Sequence, residues 1–438
     1  MTYEIAPKLE TLVNSNSDLI AWENIEKAWK EKIKGAIATQ TPPSYFISPK
    51  TPESLSEIVK YAYENRLSII PCGSGSKLSW GGLVNNAQLV VSTQHLNRII
   101  DHAIGDLTVT VEAGVNLSNL QAILNQSNQF LPLDPAYRDT ATIGGIVATA
   151  DSGSWRQRYG GVRDMVLGLS FVRSDGQIAK AGGRVVKNVA GYDLMKLFAG
   201  SYGTLGIISQ VTFRLYPLPE ASGTIVLTGE TNAIATATQS ILMSSLTPTA
   251  ADVLSAALVN RLEIGKERGL MVRFQSIPES VQEQLTQVEA IAQQLELKTS
   301  LYRDRDETNL WQRLQKSMRI PSSESAITCK IGVMPNTATA TLEQLDRLTA
   351  NQGLGTINLG SGLGRLHFHE VEISQIQKMR SLCQKNQGFL TILEAPIFVK
   401  QQLEPWGYMG NALEIMRRVK QKFDPNNILN TGRFVGGI

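Results

Sequence analysis

Residues 71–82, PCGSGSKLSWGG, set four glycines and three serines between an apolar run and a strand-like run. A chain with so few side chains at one place brings its backbone close to something. Two familiar phosphate loops fail on their fixed offsets. A P-loop needs a lysine followed by a hydroxyl residue at the start of a helix, but Lys77 stands between Ser76 and Leu78. The dinucleotide fingerprint needs a third glycine where Leu78 stands, three positions after Gly75. What remains is a tight turn whose bare N–H groups make an anion-binding concavity, with serine hydroxyls as further donors. A plain surface turn has the same composition, and this stretch alone leaves both readings open.

Two more segments repeat the pattern. In residues 134–161, DPAYRDTATIGGIVATADSGSWRQRYGG, the pair Gly144 and Gly145 permits close backbone approach and Ala148, Ala150 and Gly153 keep the following face small. Thr140, Thr142, Ser152 and Ser154 supply donors there. A third segment begins at GGRVVKNVAG and runs through AGSYGTLGII into a strand-like run. Three such segments tens of residues apart suit one extended ligand with phosphates at one end and flat rings elsewhere. Three unrelated turns are the alternative.

At 438 residues the chain buries more than one core, so two or three domains are expected. The net charge of +3 is spread thinly and gives no nucleic-acid footprint. Cys72, Cys329 and Cys383 are far apart and form no C-x-x-C pair, which points to a reducing compartment and away from a zinc or iron–sulfur site in this chain. The start MTYEIAPKLE lacks a basic region followed by an apolar core, and no run approaches the roughly 18 apolar residues of a membrane span. A cytoplasmic protein is expected; peripheral attachment at the inner membrane through partners stays open.

Trp22, Ile25 and Trp29 fall at helical spacing, so the first forty residues or so read as a helical lead-in. Thr51 and Pro52 suit the start of a helix with Leu55, Ile58, Val59 and Ala62 on one face, after which LSIIP reads as a buried strand delivering the glycine loop. LTVTVEAGV alternates like a half-buried strand, LSNLQAILNQ reads as a helix and LPLDP as a loop. Farther on, TIVLTG, MVRFQS, AITCKIGVMP and FLTILEAP read as strands, and ESVQEQLTQVEAIAQQLEL as an amphipathic helix.

On PCGSGSKLSWGG, TATIGGIVATADSGS and KNVAGYDLMKLFAGSYGTLGII the chain resembles the flavin-binding family typified by vanillyl-alcohol oxidase and D-lactate dehydrogenases. The tail KQKFDPNNILNTGRF resembles the family's closing motif, with Thr431 in place of the usual proline. Within that family, GGRVVKNVAGYDLMKLFAGSYGTLG looks most like the FAD-binding subunits of bacterial glycolate oxidases. The resemblance implies an α+β fold: a helical lead-in (1–43), a PCMH-type FAD-binding domain of two subdomains (44–220), an α+β cap of the FAD-linked oxidase type (221–397) and a tail returning to the FAD domain (398–438). It places Pro71, Cys72, Gly73, Ser74, Gly75, Ser76 and Lys77 on the FAD, followed by Gly81 and Gly82. The second segment adds Asp134, Pro135, Thr140, Thr142, Ile143, Gly144 and Gly145, then Ala148, Ser152, Gly153, Tyr159 and Gly160. Lys187, Gly203, Thr204, Gly206 and Ile207 follow from the third, and Asn430 and Arg433 from the tail.

Relatives that attach flavin covalently at the first loop use a histidine after the paired glycines. Here Leu83 follows Gly82, so the FAD is expected to be non-covalent, with Cys72 a small buried thiol. Family members that oxidise 2-hydroxy acids hold the carboxylate with an arginine and a lysine, bind a metal between histidines and use a histidine after a glutamate as base. The resemblance offers Arg313 and Lys330 for the carboxylate, with a surface cation and a strand-end cation as the alternative reading. His367 matches the second metal-ligand position; Gly362 stands where the first histidine belongs, and Ala395 follows Glu394 where the base belongs. On a strand His367 and His369 share a face, and two ligands are too few for a catalytic metal, so no metal is expected. Two functions compete: an FAD-bearing subunit of a glycolate-oxidising complex, beside a paralogous catalytic FAD subunit and an iron–sulfur subunit, or a self-sufficient dehydrogenase of a small 2-hydroxy acid such as D-lactate.

Overall fold

Thr51 opens the first long helix as its side chain accepts the Ser54 N–H at 3.1 Å, and Pro52 occupies the first turn, where a missing N–H costs nothing. The helix Pro52–Glu64 then buries Leu55, Ile58, Val59 and Ala62 as its spacing predicts. In the computed structural model, which describes residues 19–184, 191–319 and 325–438 together with Leu9 and Thr11, this helix packs in a core with a four-stranded sheet. The strands are β1 (Leu19–Ala21), β2 (Tyr45–Ile47), β3 (Ile69–Cys72) and β4 (Leu89–Ser92), in the order β1-β2-β4-β3. β2, β4 and β3 are parallel, and β1 adds antiparallel to β2.

A second, antiparallel sheet contains β5 (Ile99–Ala103), β6 (Thr108–Glu112), β8 (Val166–Val172), β9 (Ile178–Gly182) and β10 (Ile207–Arg214), ordered β5-β6-β10-β8-β9; a short pair joins β7 (Gln129–Phe130) to β11 (Tyr216–Pro217). The alternation of β6 suggests one wet face, yet all five residues are buried. Its polar members are satisfied inside: Thr110 and Thr212 hydroxyls meet at 2.9 Å, and Glu112 pairs with Arg98 at 2.8 Å. The described residues gather into two compact units, one comprising Met1–Ser152, Gly161–Leu218 and Tyr408–Ile438, the other Gly153–Gly160 and Pro219–Gly407.

The lead-in differs from the expectation. Trp22 begins a 3₁₀ turn, Trp22–Asn24, that follows β1, and Trp29 lies on a separate helix, Lys27–Lys34. Helical spacing over eight residues does not distinguish one helix from a strand, a turn and a shorter helix.

The second unit is built on one eight-stranded antiparallel sheet. Its strands are β12 (Ala221–Gly229), β13 (Ala250–Leu254), β14 (Arg268–Ser276), β15 (Lys298–Arg303), β16 (Ile327–Gly332), β17 (Leu354–Asn358), β18 (Leu363–Phe368) and β19 (Phe389–Glu394). Their order is β15-β12-β14-β13-β17-β18-β16-β19. Ile327, Cys329 and Ile331 of β16 join Leu366 and Phe368 of β18 in a core with the helices Ala338–Leu348 and Ile373–Lys385. Period 2 therefore sends Thr328, Lys330, Arg365 and His367 to the opposite face.

Candidate functional site: a cofactor groove and the polar face of the cap sheet

The loop after β3 is held from three sides. The Ser92 hydroxyl donates to the Gly73 carbonyl at 2.9 Å, the Thr93 N–H to the Cys72 carbonyl at 2.8 Å, and the Ser74 hydroxyl to the Thr140 carbonyl. A Cβ on Gly73 would lie 2.0 Å from the Thr142 hydroxyl oxygen, so glycine is required where the first two small-residue segments touch. Held this way, the N–H groups of Ser74, Gly75 and Ser76 have no acceptor among the described residues. These are the bare donors that the sequence pattern implies.

Across the groove Thr142 precedes the short helix Ile143–Thr149. The Ile143 and Gly144 N–H groups donate to the Val115 and Ala113 carbonyls at 2.9 and 2.7 Å. Gly145 faces the groove; the nearest atom to a Cβ there is the Thr142 hydroxyl oxygen at 3.3 Å. The tail closes the end. Lys420 and Asp424 pair in the interior at 2.6 Å; the Lys420 ammonium also donates to the Thr204 and Leu429 carbonyls, and Asp424 accepts the Ile428 and Leu429 N–H groups. That clamp lets the Asn430 N–H donate to the Ile69 carbonyl at 2.9 Å beside β3. Asn430 is 4% exposed; its amide N–H donates to the Tyr202 carbonyl, and its Oδ1 has no partner among the described residues.

The resulting groove is lined by all three small-residue segments and by the tail. Of the expected residues, Pro71 to Lys77, Thr142, Gly144, Gly145, Ala148, Gly203, Gly206, Ile207, Asn430 and Arg433 lie on it. Gly81, Gly82, Asp134, Pro135, Thr140, Ile143, Ser152 and Thr204 do not line it. Gly82 is needed for packing, since a Cβ would come within 2.7 Å of the Gly432 carbonyl oxygen. Gly153, Tyr159 and Gly160 cluster with the second unit, where Trp155 joins the core of Leu258, Leu310 and Trp311, and the Gln157 side chain accepts the Gly360 N–H at 2.9 Å. Lys187 lies outside the described residues.

Two charged groups at the groove are not simple ligand donors. Lys77 pairs with Asp151 at 2.9 Å, their side chains 5% and 0% exposed. Arg433 donates to the Leu78 and Trp80 carbonyls, and burial pulls its guanidinium down to about 10. Burial pushes the Cys72 thiol up to about 12, which keeps it protonated and unreactive. Asp151 escapes the sequence reading, though an acid among alanines and serines in the second segment is its visible signal.

On the second unit, Lys330 of β16 stands opposite Arg365 of β18, and Thr328 opposite both His367 and Glu394. The Thr328 hydroxyl lies 3.0 Å from His367 Nδ1 and 3.4 Å from Glu394 Oε2. His367 is 2% exposed, and burial together with His369 pushes its imidazole down to about 4. The two histidines do not share a strand face: β18 ends at Phe368 and His369 is exposed, with the rings 6.1 Å apart. Arg313 lies on the exposed side of the helix Asp304–Ser317, which packs on β12 and β15. β16 is five places from β12 in the sheet, about 24 Å at ~4.8 Å per strand, so Arg313 and Lys330 do not converge. Arg365 takes the place beside Lys330; period 2 back from His367 was its signal.

The FAD binding domain family matches residues 43–182, and the family of FAD linked oxidases, C-terminal domain, matches residues 400–434. Over these residues the chain is similar to the FAD-linked oxidases. Its cofactor is FAD, and the bare amides, the Gly145 face and the unpartnered Asn430 oxygen fit a diphosphate-bearing ligand. Glycolate oxidase subunit GlcD of Bacillus subtilis is 26% identical over 420 residues, covering 90% of this chain and 89% of that protein. Glycolate oxidase subunit GlcE of Escherichia coli is 36% identical over 171 residues, 39% of this chain and 48% of that one. The D-lactate dehydrogenase of Archaeoglobus fulgidus is 28% identical over 415 residues, 89% of this chain and 90% of that protein. In fold, p-cresol methylhydroxylase superposes with a TM-score of 0.78 at 14% identity, over 99% of this chain and 96% of its own. The α+β architecture is thus the PCMH-type FAD-binding fold. Among the described residues no helix is long and apolar enough to cross a membrane.

Proposed function

We propose that this FAD-dependent oxidoreductase serves 2-hydroxy-acid oxidation as the FAD-bearing subunit of a glycolate-oxidising complex, in which a paralogous subunit binds and deprotonates the substrate. One observation carries the assignment. Gly362, where the resemblance puts the first metal-binding histidine, has φ +65°, and a Cβ there would lie 1.8 Å from the Val333 carbonyl oxygen. No side chain fits that turn. The position of the base is Ala395, packed against the apolar core of the second unit. Removal of a hydroxyl proton needs a base poised near pH 7, and His367, pushed down to about 4 and tied to Thr328, is a weak one.

The groove's role follows from its residues. The Ser74 to Ser76 amides hold negative oxygens, Asn430 Oδ1 accepts one N–H or O–H, and Gly145 leaves room for close approach. Bound there, FAD supplies a two-electron acceptor and store. An iron–sulfur subunit is the electron partner proposed.

A self-sufficient dehydrogenase of D-lactate or glycolate has one observation on its side, the Lys330–Arg365 pairing, which offers two cations to a carboxylate. Reconstitution separates the readings. The chain is mixed with a homologous subunit that carries the metal and base histidines, passed over a sizing column and treated anaerobically with glycolate. Co-elution, with bleaching of this chain's flavin only in the mixture, supports the accessory role; no association and full bleaching of the chain alone contradict it.

A further inference from the structure

The segment from β1 to residue 38 precedes the matched FAD binding domain, yet it is built into the diphosphate loop. Ile25, Ile33 and Ile37 share one core with Ile70, Leu78 and Val84, which flank the loop on both sides. The Val84 N–H donates to the Ala36 carbonyl at 2.8 Å and the Ala38 N–H to the Val84 carbonyl at 2.9 Å. Trp29 lies against the outside of Gly75, whose Cβ would fall 2.6 Å from the indole ring. Gly75 has φ +72°, so Trp29 backs the one left-handed residue between Gly73 and Lys77.

Lys32 completes the contact. Its ammonium sits 5.0 Å from the centre of the Trp29 ring and donates to the Ser74 carbonyl at 3.2 Å. In a trans peptide the C=O and the next N–H point in opposite directions, so a cation on the Ser74 oxygen strengthens the Gly75 N–H as a donor on the far side. That N–H is one of the three without an acceptor among the described residues. The other cations at the loop are engaged: Lys77 with Asp151, Arg433 with the Leu78 and Trp80 carbonyls. Lys32 is exposed and has no carboxylate partner among the described residues.

We infer that Trp29 and Lys32 are positioning residues for the cofactor diphosphate, Trp29 fixing the Gly75 turn and Lys32 polarising the Ser74–Gly75 peptide toward the ligand. The inference rests on the reading of the groove as the FAD site. The test is titration of the full apo-chain with FAD at 10 mM and at 1 M salt, for wild type, Lys32→Met and Lys32→Arg. Lys32→Met binds FAD roughly three- to five-fold more weakly at low salt, the range for one exposed charge, and the loss vanishes at high salt while Lys32→Arg stays near wild type. Equal affinity at low salt, or a loss that salt does not change, overturns the inference, since a structural defect would be indifferent to salt. A wild-type chain that binds no FAD overturns the cofactor reading beneath it.

Discussion

Lys77→Met is expected to damage the fold of the first unit before it damages cofactor binding. The family resemblance places Lys77 among the residues on the FAD, but the structure buries it against Asp151 at 2.9 Å, with the carboxylate fully covered, and sets its ammonium 5.5 Å from the centre of the Trp80 ring. Removing one member leaves the other as an uncompensated buried charge, which costs about 3–5 kcal/mol. For a unit of this size that corresponds to a fall of roughly 6–20 °C in its melting transition. Asp151→Leu should cost a similar amount. The double variant Lys77→Met with Asp151→Leu removes both charges and should recover most of the loss, because an apolar pair of similar volume is often neutral in such a site. Calorimetry of the four apo-proteins measures the cycle; the transition of the first unit is followed separately, since two units need not melt as one. Single variants within about 1 kcal/mol of wild type, or losses that simply add in the double variant, would refute the coupling.

Gly145→Val tests the placement of the ligand more cleanly than any change at Gly75, where the first atoms met are those of Trp29. At Gly145 a side chain enters the groove with only the Thr142 hydroxyl to displace, so the apo-protein should stay folded while FAD retention falls at least ten-fold; unchanged flavin content contradicts the placement. His367 is pushed from its ordinary 6.5 to about 4, so its contribution is present above pH 6.5 and is lost as pH falls toward 4, about 3 kcal/mol in all. Asp252 and Asp346, pushed up to about 6 by burial, act in the opposite sense between about pH 4 and 6, so the quantity to measure is the difference in acid stability between wild type and His367→Gln. An identical pH dependence in the two would contradict the buried neutral imidazole. Acid precipitation of the yellow protein should release flavin to the supernatant, since Leu83 follows the paired glycines and Cys72 is held as an unreactive thiol; colour in the pellet would reveal a covalent bond.

Local chemistry made much of this fold legible. Thr51 and Pro52 announce a helix, the run before Pro71 announces β3, and alternation finds β12, β14, β16 and β19. Small residues reveal the groove because a backbone that must approach a ligand cannot carry side chains there. Long-range pairing was not legible. Nothing near Lys77 in the sequence says that Asp151 will neutralise it, and nothing near Arg313 says that its helix packs on a strand five places in the sheet from Lys330. Gly153, Tyr159 and Gly160 continue the second small-residue segment in sequence, but Trp155 among them packs with the other unit. His369 was misplaced by a single fact, that β18 ends at Phe368.

The central claim, that this chain holds FAD while the deprotonation of substrate belongs to another subunit, is tested most directly by one anaerobic measurement. The pure FAD-loaded chain is mixed with glycolate or D-lactate, and the loss of flavin absorbance is timed over a single turnover. A missing base typically costs about 10² to 10⁴ in rate, so the flavin should bleach that much more slowly here than in a relative that carries the base histidine. Rapid, stoichiometric bleaching of the chain alone, at the rate of such a relative, would make it a complete dehydrogenase and contradict the account.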